Sequence, residues 1–176
     1  MPMRYFLSLL MLLTLPALGS EHLIDAARQG DTSALAERYA QGGDLDTANE
    51  SGHTPFIMAA YHSHTDTLEW LLAQGAEPCA TDDQGNNVYM GVAFRGHERT
   101  ARWLLDNTRC DIDHRNHVGQ TALMMAALFG REAIVELYLE HGAEAGVVDL
   151  QGNTAATLAA GQGQAQLAER LRAESS

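Results

Sequence analysis

Short apolar blocks recur along the chain, each opened by a polar residue and closed by glycine or a small substitute. Thr54-Pro55-Phe56-Ile57-Met58-Ala59-Ala60 is the clearest, and Thr121-Ala122-Leu123-Met124-Met125-Ala126-Ala127 is a second copy. Asn87-Val88-Tyr89-Met90-Gly91-Val92-Ala93 and Thr154-Ala155-Ala156-Thr157-Leu158-Ala159-Ala160 are more worn. They start at 54, 87, 121 and 154, separated by 33, 34 and 33 residues. Each block predicts a short helix ending at Ser63, Gly96, Gly130 or Gly163, after a tight turn at Gly52, Gly85, Gly119 or Gly152. A second helix follows, with apolar stripes such as Leu68, Leu71, Leu72 and Val135, Tyr138, Leu139. Gly75-Ala76 and Gly142-Ala143 then turn the chain outward into an extended finger. Each helix pair alone leaves an apolar side uncovered, and stacking successive copies buries it.

The ends of this pattern read as caps. Glu21 to Gln29 predicts a helix burying Leu23, Ile24, Ala26 and Ala27, with Glu21, His22, Asp25 and Arg28 on its polar face. Ala26-Ala27 precedes Ala59-Ala60 by 33 residues, so this is the first repeat without its leading turn. Asp31 or Thr32 is placed to cap a second helix over Ser33–Ala40, with Leu35 and Tyr39 inward. The last helix, Gln164 to Arg172, carries the polar surface that closes a stack. The reading is an all-α domain over residues 20–176, with about five repeats including the caps.

Composition adds a leader and a charge. Arg4, an apolar run from Leu7 to Leu15, Pro16, and small residues before position 20 have the layout of a secretory signal peptide over residues 1–19. Its form fits export in a Gram-negative bacterium, so a periplasmic location is expected, with no membrane insertion once the leader is removed. The net charge is −12, and every basic residue other than histidine is arginine. Such a surface repels nucleic acid phosphates and anionic lipid head groups, so neither is an expected partner.

Several motifs in phase carry a resemblance. Ser51-Gly52-His53-Thr54-Pro55-Phe56, Ala59-Ala60, Leu71-Leu72-Ala73-Gln74-Gly75-Ala76, Gly96-His97 and Leu139-Glu140-His141-Gly142-Ala143 resemble the ankyrin repeat, over residues 21 to 174. The fold this implies is an ankyrin-repeat solenoid of stacked helix–turn–helix units with projecting β-hairpin or loop fingers. Departures stand out. The family's histidine after Thr-Pro-Leu is replaced by Ile57, Met90, Met124 and Thr157, so the stack is expected to lean on methionine packing. Asn86-Asn87-Val88 lacks both Thr and Pro, which predicts a weaker helix start. One extra residue lies within Asp106–Cys110, where a bulge is expected.

Candidate chemistry is sparse. The histidines suggest a metal or haem site at first sight. His64 and His97, however, occupy the family's Gly-His slot, which implies a structural role; His141 lies at a helix C-terminus; His114 and His117 are expected to be solvated at a finger tip. No zinc-type spacing emerges, so no metal and no cofactor is expected. No nucleophile–base pair or phosphate loop can be assembled, and an enzyme is not expected. In the repeat phase, Cys110 takes a small buried slot shared with Gly43, Ala76 and Ala143, and Cys79 a finger slot shared with Asp46 and Asp113. That places them roughly one ~10 Å stacking step apart, beyond the ~7 Å between Cα atoms that a disulfide spans. Reduced structural cysteines are expected, with a bridge open only if the extra residue moves Cys110.

The resemblance implies a site where partners dock: finger tips and the exposed side of the first helices. The tip positions are Glu50, Ser51, His53; Asp83, Gln84, Asn86; and His117, Val118, Gln120. After each alanine pair come Tyr61-His62, Phe94-Arg95 and Leu128-Phe129. Two columns are expected, Tyr61–Phe94–Leu128 and His62–Arg95–Phe129, with large rigid rings beside a forked donor. The function expected is a monomeric, non-catalytic module binding another folded protein with a basic surface, since the fingers are acidic. The chain is also similar to small exported ankyrin proteins of Gram-negative bacteria. That company suggests support of a catalase or other oxidative-stress enzyme, or immunity against a periplasm-delivered toxin. A haem- or metal-binding antioxidant protein is the alternative of another class.

Overall fold

A computed structural model describes residues 17–175. The leader positions up to residue 16 lie outside the described residues. Among the described residues ten helices follow one another: α1 (Ala17–Gln29), α2 (Thr32–Ala40), α3 (Pro55–Tyr61), α4 (Thr65–Ala73), α5 (Val88–Arg95), α6 (Glu98–Asn107), α7 (Ala122–Leu128), α8 (Glu132–Glu140), α9 (Ala155–Gly161) and α10 (Ala165–Glu174). Odd-numbered helices pack in one row, α1 on α3, α3 on α5, α5 on α7 and α7 on α9. Even-numbered helices form the second row, each packed on the helix before it. The described residues contain no strand, so the fingers are loops. No described helix is long and apolar enough to cross a membrane.

The first row consists of short helices because each is bounded on both sides by local chemistry. Thr54, Asn87, Thr121 and Thr154 each accept a backbone N–H three residues on, at 3.1–3.3 Å. Asn87 therefore replaces threonine as a cap in full, and the expected weak start of α5 does not occur: its amide also donates to Asp111 O at 3.3 Å. At the far end the chain turns through a left-handed residue. That slot holds Gly96, Gly130 and, as the one described non-glycine at positive φ, Ser63. Its hydroxyl reaches Thr100 Oγ1 in the next repeat at 2.8 Å, a contact that helps offset the backbone cost.

The core is one continuous ribbon between the rows. Ala27, Ala59, Ala93, Ala126, Ala127 and Ala159 are closed to solvent, letting first-row helices approach closely, while Leu35, Leu68, Leu104 and Val135 fill it from the second row. Tyr39 is the exception to the expected inward set: it is 40% exposed and lies edge-on against Trp70, bridging α2 and α4 from outside. α1 opens at Ala17, four residues before the expected start. Its polar side is exposed at Glu21, His22 and Arg28, and Arg28 pairs with Asp25.

Polar ties between repeats supplement the buried methionines Met58, Met90 and Met124. His64 donates to Arg28 O at 2.9 Å, His97 to Tyr61 O at 3.1 Å, and Arg131 to Phe94 O at 3.3 Å, each reaching back one repeat. The fingers are tied as well. The N–H groups of Asp83, His117 and Leu150 donate to Ser51 O, Gln84 O and Val118 O at 3.0–3.1 Å. His114, expected to be solvated, instead donates to Gly85 O at 2.8 Å. Methionine packing thus shares the load with these hydrogen bonds between repeats.

Cys79 and Cys110 form a disulfide, with Cα atoms 5.2 Å apart, which overturns the expectation of reduced thiols. Two physical reasons account for it. The finger slot of Cys79 lies against the next repeat rather than one step away: the matching Asp46 and Asp113 accept the N–H of Glu77 and Glu144 at 2.7 and 2.9 Å. The extra residue lengthens α6 to 10 residues, against 9 in α2, α4 and α8, and ends it through an extended Thr108 instead of a left-handed glycine. Cys110 is thereby brought to the preceding finger, where the bridge stands in for the aspartate–backbone bond.

Candidate partner-binding site

The residues following the alanine pairs form one row of rings. Tyr61 and Phe94 stack with centroids 6.1 Å apart and planes at 17°; Phe94 meets Phe129 edge-on at 4.7 Å. The row crosses the two expected columns: Phe129, the residue after α7, meets Phe94, while Leu128, in the column of Tyr61 and Phe94, is half-buried. Arg95 folds back over the Tyr61 ring at 5.0 Å, and His62 lies edge-on to Tyr61 at 5.5 Å. Phe94 and Phe129 are each 39% exposed, too open for core and too closely paired for chance surface residues.

Beneath this row lies a cleft of about 410 Å³, in the range of small-ligand and side-chain pockets. Tyr61 and Phe94 wall one side, and His53 and Asn86 the finger side; Ile57, Met58, Met90 and Met125 supply its apolar lining. Asp82 and Asn87 add polar groups, and Gly91 opens the middle. Gly91 holds the helix position of Met58, Met125 and Leu158 in the other repeats, and its backbone is ordinary helix. A Cβ there would meet only Tyr61 at 3.7 Å, so the glycine is needed neither for conformation nor for close approach. Its effect is to leave a methionine-sized gap.

The tip residues divide by role. Glu50, Ser51, Asp83, Gln84, His117 and Val118 are exposed, whereas His53, Asn86 and Gln120 are half-buried. Asn86 is structural: it accepts from Asn116 Nδ2 at 2.9 Å and donates to Asp82 at 3.0 Å. His53 Nε2 stands 3.8 Å from Asp82 Oδ2. Burial, followed by the nearby Arg95 and His64, holds the His62 imidazole below the ordinary histidine value. Burial also lowers His97, against the opposing effect of its bond to Tyr61 O. The floor residues Met58, Met90 and Met125 escaped the sequence reading, as did Asp82, Asn87 and Gly91. Gly91 inside a block otherwise holding methionine or leucine was the available signal. Val148 and Leu150 are exposed at the last finger tip, and Leu150 stands in the phase of Glu50, Asp83 and His117, the signal that marks it.

These features form a groove suited to a protein surface: rigid rings, an apolar cleft and an acidic finger edge. No curated protein matches the chain. The family model described as Ankyrin repeats (3 copies) matches residues 23–116 and, in an overlapping match, 90–175. Proteins of this family are typically non-catalytic modules that bind other proteins. With that match spanning nearly all the described repeats, the chain belongs to the ankyrin-repeat family.

Proposed function

We propose that the protein is an exported, monomeric, non-catalytic module that docks a folded partner in the groove over Tyr61, Phe94 and Phe129. The observation that carries this reading is the half-exposed, mutually packed ring row above an open cleft. Rigid rings give contact area at low entropic cost, and Arg95 beside them supplies a directional donor. The acidic fingers steer a partner of basic surface toward the groove. A cystine between successive repeats supports an oxidising compartment, consistent with the expected leader and a periplasmic location.

Two biological settings fit such a module. One is support of a periplasmic catalase or another oxidative-stress enzyme. The other is immunity, with the groove covering the active site of a delivered toxin. The identity of neighbouring genes separates them, a catalase gene favouring the first and an effector gene the second. The groove itself is tested by affinity capture from periplasm with the native chain and the Phe94→Ala/Arg95→Ala variant side by side. A partner retained by the native chain and lost by the variant is the expected result. Equal retention removes the groove.

A further inference from the structure

The cleft at Gly91 has a definite polarity, and it points to one kind of occupant. Its apolar lining combines Ile57 with the unbranched Met58, Met90 and Met125, while its finger-side rim carries one carboxylate, Asp82. We propose that the cleft receives a single lysine side chain of the partner, its methylenes lying on the methionines and its ammonium at Asp82. The proposal rests on the groove reading above and names what enters it.

Three observations favour this occupant. First, the gap is created by removing a methionine-length side chain from one repeat, so a guest of similar length and flexibility refills it. Second, the turn beside the cleft presents a carboxylate, Asp82, bonded as Asp149 is in the last finger, and of the two only Asp82 lines the cleft. Oδ1 of Asp82 accepts the N–H of Gln84 and Asn86 at 2.8 and 2.9 Å. Asn49 and Asn116 hold the same turn with neutral amides, accepting the matching pairs of N–H groups at 2.9–3.1 Å. Third, Oδ1 is filled by those two bonds and Oδ2 already accepts from Asn86 Nδ2, which leaves no open pair of oxygens for a bidentate guanidinium. A compact ammonium needs only one approach to Oδ2, beside His53 Nε2 at 3.8 Å. Charge complementarity agrees, since the adjoining finger tips present Glu50 and Asp83.

The chain itself supplies variants that keep the fold. Gly91→Met restores the residue found at Met58 and Met125, and Asp82→Asn restores the residue found at Asn49 and Asn116. The probe is Nα-acetyl-lysine methylamide, with the norleucine analogue as its uncharged counterpart. The readout is the methyl resonances of Met58, Met90 and Met125 in methyl-labelled protein. Saturable shifts are expected with the lysine probe, binding about tenfold more tightly than the norleucine analogue. Asp82→Asn should bring the lysine probe to the norleucine level, and Gly91→Met should abolish both responses. Equal binding of the two probes, silence with both, or unaltered binding to Gly91→Met overturns the proposal. Silence with both while partner capture still depends on Phe94 and Arg95 overturns the lysine pocket and leaves the groove standing.

Discussion

The unit from Asn87 to Cys110 and the unit from Thr121 to Ala143 occupy neighbouring places in one stack, yet they are held by different means. The later unit keeps Thr121, a methionine at 125 and a glycine-terminated second helix. The earlier one substitutes at each point: Asn87 for the cap, Gly91 for the methionine, Thr108 for the terminal glycine, and a disulfide for the finger bond. A buried tyrosine pair joins the two units: Tyr89 OH of the earlier meets Thr108 Oγ1 at 3.0 Å, and Tyr138 OH of the later donates to Tyr89 O at 2.7 Å. The lesson is that the repeat tolerates exchange of every local device provided its polar groups remain paired. The one exchange with no structural return, Gly91, is the one that opens the cleft.

Removing the disulfide should separate the units most. Closing a loop between residues 31 apart corresponds to about 3–4 kcal/mol in the chain-entropy model. Cys79→Ala combined with Cys110→Ala should lower stability by that order. Asp113→Ala, which removes the corresponding bond to Glu144, should cost about 1 kcal/mol. Urea unfolding followed by circular dichroism measures both. Because each repeat contacts only its neighbours, the disulfide-free chain is also expected to unfold in two steps, dividing between α4 and α6. A midpoint in native protein unmoved by reductant would show that the bridge contributes nothing.

The caps provide a finer comparison. Asn87→Ala and Thr121→Ala should each cost about 1 kcal/mol, with Asn87 the larger by a few tenths because it also loses the bond to Asp111 O. Asn87→Thr should return most of the loss, keeping the cap and forgoing only that second bond. If Asn87→Ala proved neutral while Thr121→Ala did not, the earlier helix would depend on packing around Tyr89 rather than on its cap.

How much of this was legible beforehand follows from what repeats along the chain. The period of Thr54, Asn87, Thr121 and Thr154 carried the fold, because stacking demands that apolar faces recur in phase. The ring residues after each alanine pair were legible by the same phase. Their diagonal course was not, since it depends on which way each ring points, which spacing along the chain does not fix. Cys79 and Cys110 were misjudged because repeat spacing describes helices, whereas a finger bends onto its neighbour. Asp46 and Asp113, polar residues in the slot of Cys79, hinted at a partner there. Gly91 was visible as a worn position, but only the cleft it lines gives that wear a meaning.

The smallest difference is in how each unit reaches back to its predecessor: His97 to Tyr61 O, Arg131 to Phe94 O. The first bond titrates and the second does not. Burial, with Arg95 and Arg131 close by, puts the folded value of His97 below the ordinary 6.5, so the folded chain resists a proton that the unfolded chain accepts. Between pH 7 and pH 5 the unfolded state therefore binds more protons, and the contribution of this residue to stability falls as the pH falls through 6.5. His62 shifts in the same direction and adds to the effect. His97→Arg installs the residue that the next unit already uses, and should reduce the loss of urea midpoint between pH 7 and pH 5 without removing it, since His62 remains. Carboxylate titration is common to both proteins and cancels in the comparison. An identical loss in the two would mean that the His97 bond survives protonation, donated as readily by the imidazolium as by the neutral ring.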